Sequence, residues 1–170
     1  MIKILEKTSS KFGLITLTVI QLVVGAFLGI TLSKLSKISG NGIPDFEVGY
    51  TKEKILELFN SYGEQGMELY NQVHLIDLFN PLIYSLLFAS LCYYFFKDTR
   101  FEKLSLIPFL AGFFDYFENY FLYQMKGQYP EISDNLIEIS NSISLIKYVV
   151  LGITIATFIF GIFQWIKKKN

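Results

Sequence analysis

The sequence predicts an all-α integral membrane protein: a four-transmembrane-helix bundle with an amphipathic outer helix between spans one and two. Three observations predict it. Hydrophobic residues fill 52% of the 170 positions and aromatics 17%, with a mean hydropathy of +0.40, more apolar than a water-soluble domain of this length. The apolar residues gather into four stretches long enough to cross a bilayer. The basic residues fall mostly on one side of the resulting threading. A chain of this length suffices for one domain, so residues 1–170 are read as a single integral membrane domain.

The first span is the uncharged stretch from about Phe12 to Leu32. About 20 residues at 1.5 Å each cross a hydrocarbon core of roughly 30 Å. It is too long for the apolar region of a signal peptide, and Ser33-Lys34-Leu35-Ser36-Lys37 offers no small-x-small cleavage site, so it reads as a retained helix. Gly25 and Gly29 form a GxxxG step on it, expected to let another helix of the same chain approach closely.

An outer segment covers about 40–73. Gly40-Asn41-Gly42-Ile43-Pro44-Asp45 reads as turns, after which Thr51 caps a helix that carries Ile55, Leu58, Phe59 and Tyr62 on one face. Gly63 and Gly66 are expected to interrupt it, and a second helix to begin near Met67. The favoured place for the amphipathic helix is as a cap over the outer mouth, rather than flat in the interface. The second span follows at about 75–96 with a bend at Asn80-Pro81, the third at about 104–123 and the fourth at about 143–165. Gly152 and Ala156 repeat the small-residue step on the fourth. The short turn from Lys97 to Lys103 makes spans two and three antiparallel neighbours.

Lys3, Lys7, Lys11, Lys97, Arg100, Lys103, Lys167, Lys168 and Lys169 all lie on one side, which is therefore expected to be cytoplasmic, with both termini there. The opposite side carries an acidic excess. Overall charge is balanced, 15 basic against 15 acidic residues, which excludes a nucleic-acid surface. The only cysteine, Cys92, permits neither an internal disulfide nor a Cys-x-x-Cys metal knuckle. There is no internal repeat, low-complexity tract or soluble catalytic domain.

The informative residues are polar ones inside apolar stretches. Asp115, Glu118 and Asn119 share one face of the third span at i, i+3 and i+4, roughly 18 to 22 Å above the inner boundary for the two acids. An ionised carboxylate near the bilayer centre costs about 2.5–3.5 kcal/mol, so each needs a partner, a proton or water. His74, Asp77 and Asn80 begin the second span, and Asn141, Ser142, Ser144 and Lys147 begin the fourth, at similar depth. Lys147 is expected to neutralise Asp115 or Glu118, with His74 or Asp77 sharing a proton. Tyr84 and Tyr116 are candidate hydrogen-bond donors into the pocket.

Blander readings stand beside these. His74 and Asp77 sit in solvated interface, Lys147 snorkels outward, and Asp115 with Glu118 and Asn119 is a clamp that fixes the bundle. His-x-x-Asp facing Asp-x-x-Glu also has the donors of a metal site, yet with a single histidine no metal and no cofactor is expected.

The segment Leu106–Asn119 resembles the Pro-x-x-Ala-x-x-Phe-Asp-x-x-Glu-Asn stretch of a family of small bacterial four-helix integral membrane proteins of uncharacterised function. Gly49-Tyr50-Thr51, Asp77 with Pro81 and Tyr84, and Ser140 to Lys147 extend the resemblance, which implies a bacterial plasma membrane but no activity. A weaker resemblance is to the sterol isomerase and sigma-two receptor (EXPERA-type) family, in helix count, long first outer segment and acidic residues on spans two and three. It implies His74, Asp77 and Glu118 as catalytic acid/base candidates, although His-x-x-Asp stands where that family has His-x-x-x-Glu.

The expectation is thus an outward-facing intramembrane acidic pocket that binds a lipid, an amphipathic amine or a cation, in a binding or transport-accessory role. Its partners are membrane lipids or a small amphipathic ligand. The alternatives are an acid/base isomerase or hydrolase acting on a lipid or sterol-like substrate, and a bundle whose polar cluster only locks packing.

Overall fold

A computed structural model describes residues 1–47 and 49–169; the side chain of Lys169, part of the expected basic C-terminal group, lies outside that description. Regular structure among the described residues is helical throughout: α1 (Ile2–Thr8), α2 (Lys11–Ser39), α3 (Lys52–Asp77), α4 (Asn80–Phe96), α5 (Ile107–Gln128) and α6 (Asp134–Lys169), with 3-10 turns at Pro44–Phe46 and Glu102–Leu106. Three stretches are long and apolar enough to cross a membrane: α2, the run Lys52–Phe96 that joins α3 to α4, and α6. The expected third span corresponds to α5, whose 22 residues extend roughly 33 Å. Asp115, Glu118, Asn119 and the polar residues of its last turns keep α5 below the apolarity of the other three.

Local chemistry sets the boundaries. Ser10 Oγ accepts the Gly13 N–H at 3.1 Å and Thr51 Oγ1 accepts the Lys54 N–H at 3.3 Å, each satisfying a free donor at a helix start. Gly63 breaks α3 with φ 57 and ψ −166, a conformation open to glycine alone. Gly66, expected to interrupt as well, remains helical and buried, and a Cβ there would lie 3.0 Å from Tyr62 Cβ. The helix therefore resumes directly after Gly63 instead of near Met67. The second expected span is broken at Leu78 and Phe79, and α4 begins with Pro81 in its first turn, where no N–H is needed. α6 starts at Asp134, well before the expected Ile143, and α1 is a short helix that the hydropathy did not mark.

Packing centres on α4, which contacts α1, α2, α5 and α6. A close approach is at Gly112 of α5, where a Cβ would fall 2.9 Å from both Pro81 O and Ser85 Oγ. Gly161 of α6 is pressed against Phe95 in the same way, with 3.0 Å available. Gly25, Gly29 and Gly152 correct the expected small-residue steps: a Cβ at any of them meets nothing within 4 Å. Gly112 and Gly161 stand where helices press together, as do Gly13 against Thr8 and Gly66 against Leu35, while Gly25 and Gly29 border open space.

The basic segments share one end. Leu5 of α1 is buried with Ala89 and Tyr93, and Trp165 of α6 stacks near Tyr94 at 6.4 Å, so the N-terminus, the end of α4 and the end of α6 converge. The main hydrophobic core sits at the other end. There the Ile55, Leu58, Phe59 and Tyr62 face of α3 packs with Leu122, Met125, Ile132 and Ile137, covering the α5–α6 turn as a cap. Between the two ends the exterior is apolar, with Phe12, Val19, Leu22 and Phe27 of α2 and Val149, Ile153, Ile159 and Phe163 of α6 exposed.

Candidate functional site

Lys147 of α6, only 9% exposed, is hydrogen-bonded to Glu118 of α5, and its Nζ lies 3.7 Å from Asp115 Oδ1. One helical turn separates the two acids, so a single ammonium serves both. Glu118 is 1% exposed and its Oε1 has no hydrogen-bond partner among the described residues.

A second network begins at Asp77, the last residue of α3, whose side chain reaches α5. Its Oδ1 accepts Asn80 Nδ2 at 3.0 Å and its Oδ2 accepts Asn119 Nδ2 at 2.9 Å. Asn80 Oδ1 in turn accepts Gln21 Nε2 at 2.9 Å. A carboxylate only accepts, so Asp77 dictates which way all three amides point. Each presents its NH2 toward Asp77 or along the chain, and Gln21 Oε1 and Asn119 Oδ1 are left buried without a donor.

These two networks flank a cavity of about 600 Å³ between α2, α4 and α6. Its polar end is formed by Asp77, Asn80, Asp115 and Lys147, together with Asp45 from the outer segment; Tyr84 lies beside Asp115. Its other end is apolar: Gly25 and Leu28 of α2, Phe88 one turn beyond Tyr84, and Leu151 one turn beyond Lys147. Gly25 and Gly29 border this space, and a Cβ on either would project into it without meeting a described atom within 4 Å. Element pairs in close contact include α2 with α3 and α4 but not α2 with α6, so the cavity faces the gap between those helices.

The Asp45 side chain reaches the polar end because the outer segment is tied down as a strap. Pro44 starts a 3-10 turn, Tyr148 Oη donates to Asp45 O at 2.9 Å, Tyr62 Oη donates to Gly42 O at 2.7 Å, and Asn141 Nδ2 donates to Tyr50 O at 2.7 Å. Asp45 Oδ2 is buried without a partner among the described residues. Burial pushes the Asp45 carboxyl up to about 7, and the Glu118 and Asp77 charges push it the same way against the pull of Lys147.

No protein-family model matches this chain, and no curated protein or solved structure is significantly similar to it. The chemistry of the site must therefore be read from its own residues. Among those described, no three His, Cys, Asp or Glu side chains converge closely enough to hold a metal ion. The acids are spread around the cavity wall instead.

Of the residues singled out from sequence, Asp77, Asn80, Tyr84, Asp115 and Lys147 line this cavity, and Glu118 and Asn119 stand directly behind them. His74 and Tyr116 do not line it. They lie in a separate groove between α3 and α5 with Asn119, Tyr123 and Lys126. His74 and Asp77 lie one turn apart on α3, but Asn119 of α5 stands between the groove of the first and the cavity of the second, and spacing along one helix does not convey where a neighbouring helix lies. Asp45, Gln21 and Tyr148 were missed. Gln21 had a signal, since it is the one side-chain amide between Phe12 and Leu32. Asp45 had none, because its position depends on a strap held by tertiary hydrogen bonds.

Proposed function

We propose that the chain is a membrane protein whose four long helical runs cross the bilayer, both termini on the cytoplasmic side, and that its cavity binds an amphipathic molecule with a cationic, hydrogen-bond-donating head. The observation that carries the second part is the polarity of the cavity. One end holds Asp45, Asp77 and Asp115 against Lys147, with Asp45 Oδ2 lacking a donor among the described residues, and the other is apolar. A protonated amine supplies donors and charge to the first and its hydrocarbon fills the second. A fatty acid would add acceptors to a site already short of donors.

The crossing itself is supported by the exterior. Apolar side chains along α2 and α6 exceed what a water-facing surface carries, and the most apolar stretch of α2 buries none of its residues inside the protein. α5 turns its acids toward Lys147 and exposes Leu110, Phe113 and Phe117, so it is suited to crossing as an inner helix despite its composition. Convergence of the basic segments at one end supports a cytoplasmic side there. The resemblance around Pro108–Asn119 is the ground for taking the membrane to be a bacterial plasma membrane.

A second reading is favoured by Asp45. Its carboxyl, held near neutrality beside an Asp77 charge, is a general acid and base in one cavity, as proton transfer on a lipid or sterol-like substrate requires. Comparing lipid extracts of cells with and without the protein separates the two, because turnover yields a new product mass and binding does not.

The test of binding is thermal stability of the purified chain in mild detergent with a long-chain primary alkylamine, its trimethylammonium analogue or a fatty acid of equal length. The amine is expected to raise the melting temperature most and the fatty acid not at all, and Asp77→Asn to abolish the difference. Equal effects of all three, or an unchanged response in Asp77→Asn, would overturn the proposal.

A further inference from the structure

His74 and Tyr116, left out of the cavity, belong to a groove of about 320 Å³ on the opposite side of the α3–α5 contact. Three contacts set its register. Lys126 Nζ donates to Asn71 Oδ1 at 2.6 Å, the His74 and Tyr123 rings lie 5.7 Å apart, and Tyr116 Oη donates to Leu78 O at 2.8 Å. The groove thus runs along both helices, from Lys126 and Asn71 at the capped end to Leu78 and Tyr116 about two turns further in, roughly 10 Å of helix.

Its two ends differ in chemistry. At the capped end Lys126 sits 4.6 Å over the Tyr123 ring, and no carboxylate lies within 4 Å of it among the described residues. His74 adds a ring N–H donor beside it. At the inner end the Tyr116 hydroxyl is already satisfied by Leu78, so the exposed surface that remains is the apolar part of Leu75, Leu78, Tyr116 and Tyr120. Cationic donors stand where a membrane has headgroups, and apolar walls run from there toward where it has acyl chains.

We infer that this groove binds an anionic phospholipid of the outer leaflet, its phosphate at Lys126 and His74 and an acyl chain along Leu75, Leu78 and Tyr116. The inference rests on the membrane reading above but not on the amine reading of the cavity. Asn119 is the wall between the two sites, lining this groove while its Nδ2 holds Asp77 of the other.

The test is native mass spectrometry of the full chain in detergent with an equal mixture of phosphatidylglycerol and phosphatidylcholine. Wild type is expected to retain phosphatidylglycerol about fivefold over phosphatidylcholine, the worth of one lysine at a membrane surface. Lys126→Gln should bring that ratio to about one while keeping the wild-type melting temperature, and Lys103→Gln at the other end should leave it unchanged. Equal retention of both lipids by wild type, an unaltered ratio in Lys126→Gln, or full displacement of the lipid by inorganic phosphate would each overturn the inference. A chain that stays monodisperse without detergent would overturn the membrane reading, and this inference with it.

Discussion

Replacing Lys147 with methionine tests the polar centre most directly. The substitution keeps side-chain length and removes the one cation within 4 Å of Glu118 and Asp115 among the described residues, at a position that is 9% exposed. Glu118, 1% exposed, is then a buried charge without a counterion. Breaking a buried pair in this way costs about 3–5 kcal/mol, because the stranded charge loses its partner without regaining water. For a chain of this size each kcal/mol lowers the melting temperature by about 2–4 °C, so a fall on the order of 10 °C is expected. The double variant Lys147→Met with Glu118→Leu removes the tighter pair and should recover part of the loss, Asp115 alone being left without its cation, since a buried pair contributes little more than apolar side chains of equal volume. Thermal unfolding in detergent, followed by tryptophan fluorescence and circular dichroism across the four-variant cycle, measures the coupling. A loss below about 0.5 kcal/mol in Lys147→Met, within the range of ordinary surface changes, would refute the buried-pair argument. So would a double variant no more stable than the single.

Three other outcomes follow from particular residues. Asp45 is lifted from 3.8 to about 7, so the folded strap holds its proton more tightly than the unfolded chain; stability should be highest below about pH 4 and fall as pH rises to about 7. Asp45→Asn should flatten that slope and be the more stable form at pH 8, read from melting temperatures across pH. Gly29→Leu adds bulk where a Cβ meets nothing, so the protein should fold normally while alkylamine affinity drops at least about tenfold, the loss of about 1.4 kcal/mol, in calorimetric titration. Gly63→Ala forces a Cβ onto a conformation only glycine tolerates and should cost about 1–3 kcal/mol, whereas Ala at Gly25 should be close to neutral in the same unfolding assay.

Sequence alone determined the helical composition, the places of the long apolar runs, the Thr51 cap, the Gly63 interruption and the sharing of one helix face by Asp115 and Glu118. Each of these is a local or periodic property: apolar runs bury or shed water according to length, caps answer free N–H groups, and i, i+3 spacing keeps two acids on one face. The tertiary structure decided what lies opposite them. It separated His74 from Asp77, because α5 places Asn119 between them, and it brought Asp45 in from a loop more than thirty residues distant. It also reversed the meaning of the glycines. A GxxxG step marks a surface without Cβ atoms, and only the path of neighbouring helices determines whether that surface receives a backbone, as at Gly112, or encloses a cavity, as at Gly25 and Gly29. Loop closures and side-chain hydrogen bonds between distant segments, such as Tyr148 to Asp45 and Gln21 to Asn80, have no periodicity to read, so these contacts exist only once the chain is folded.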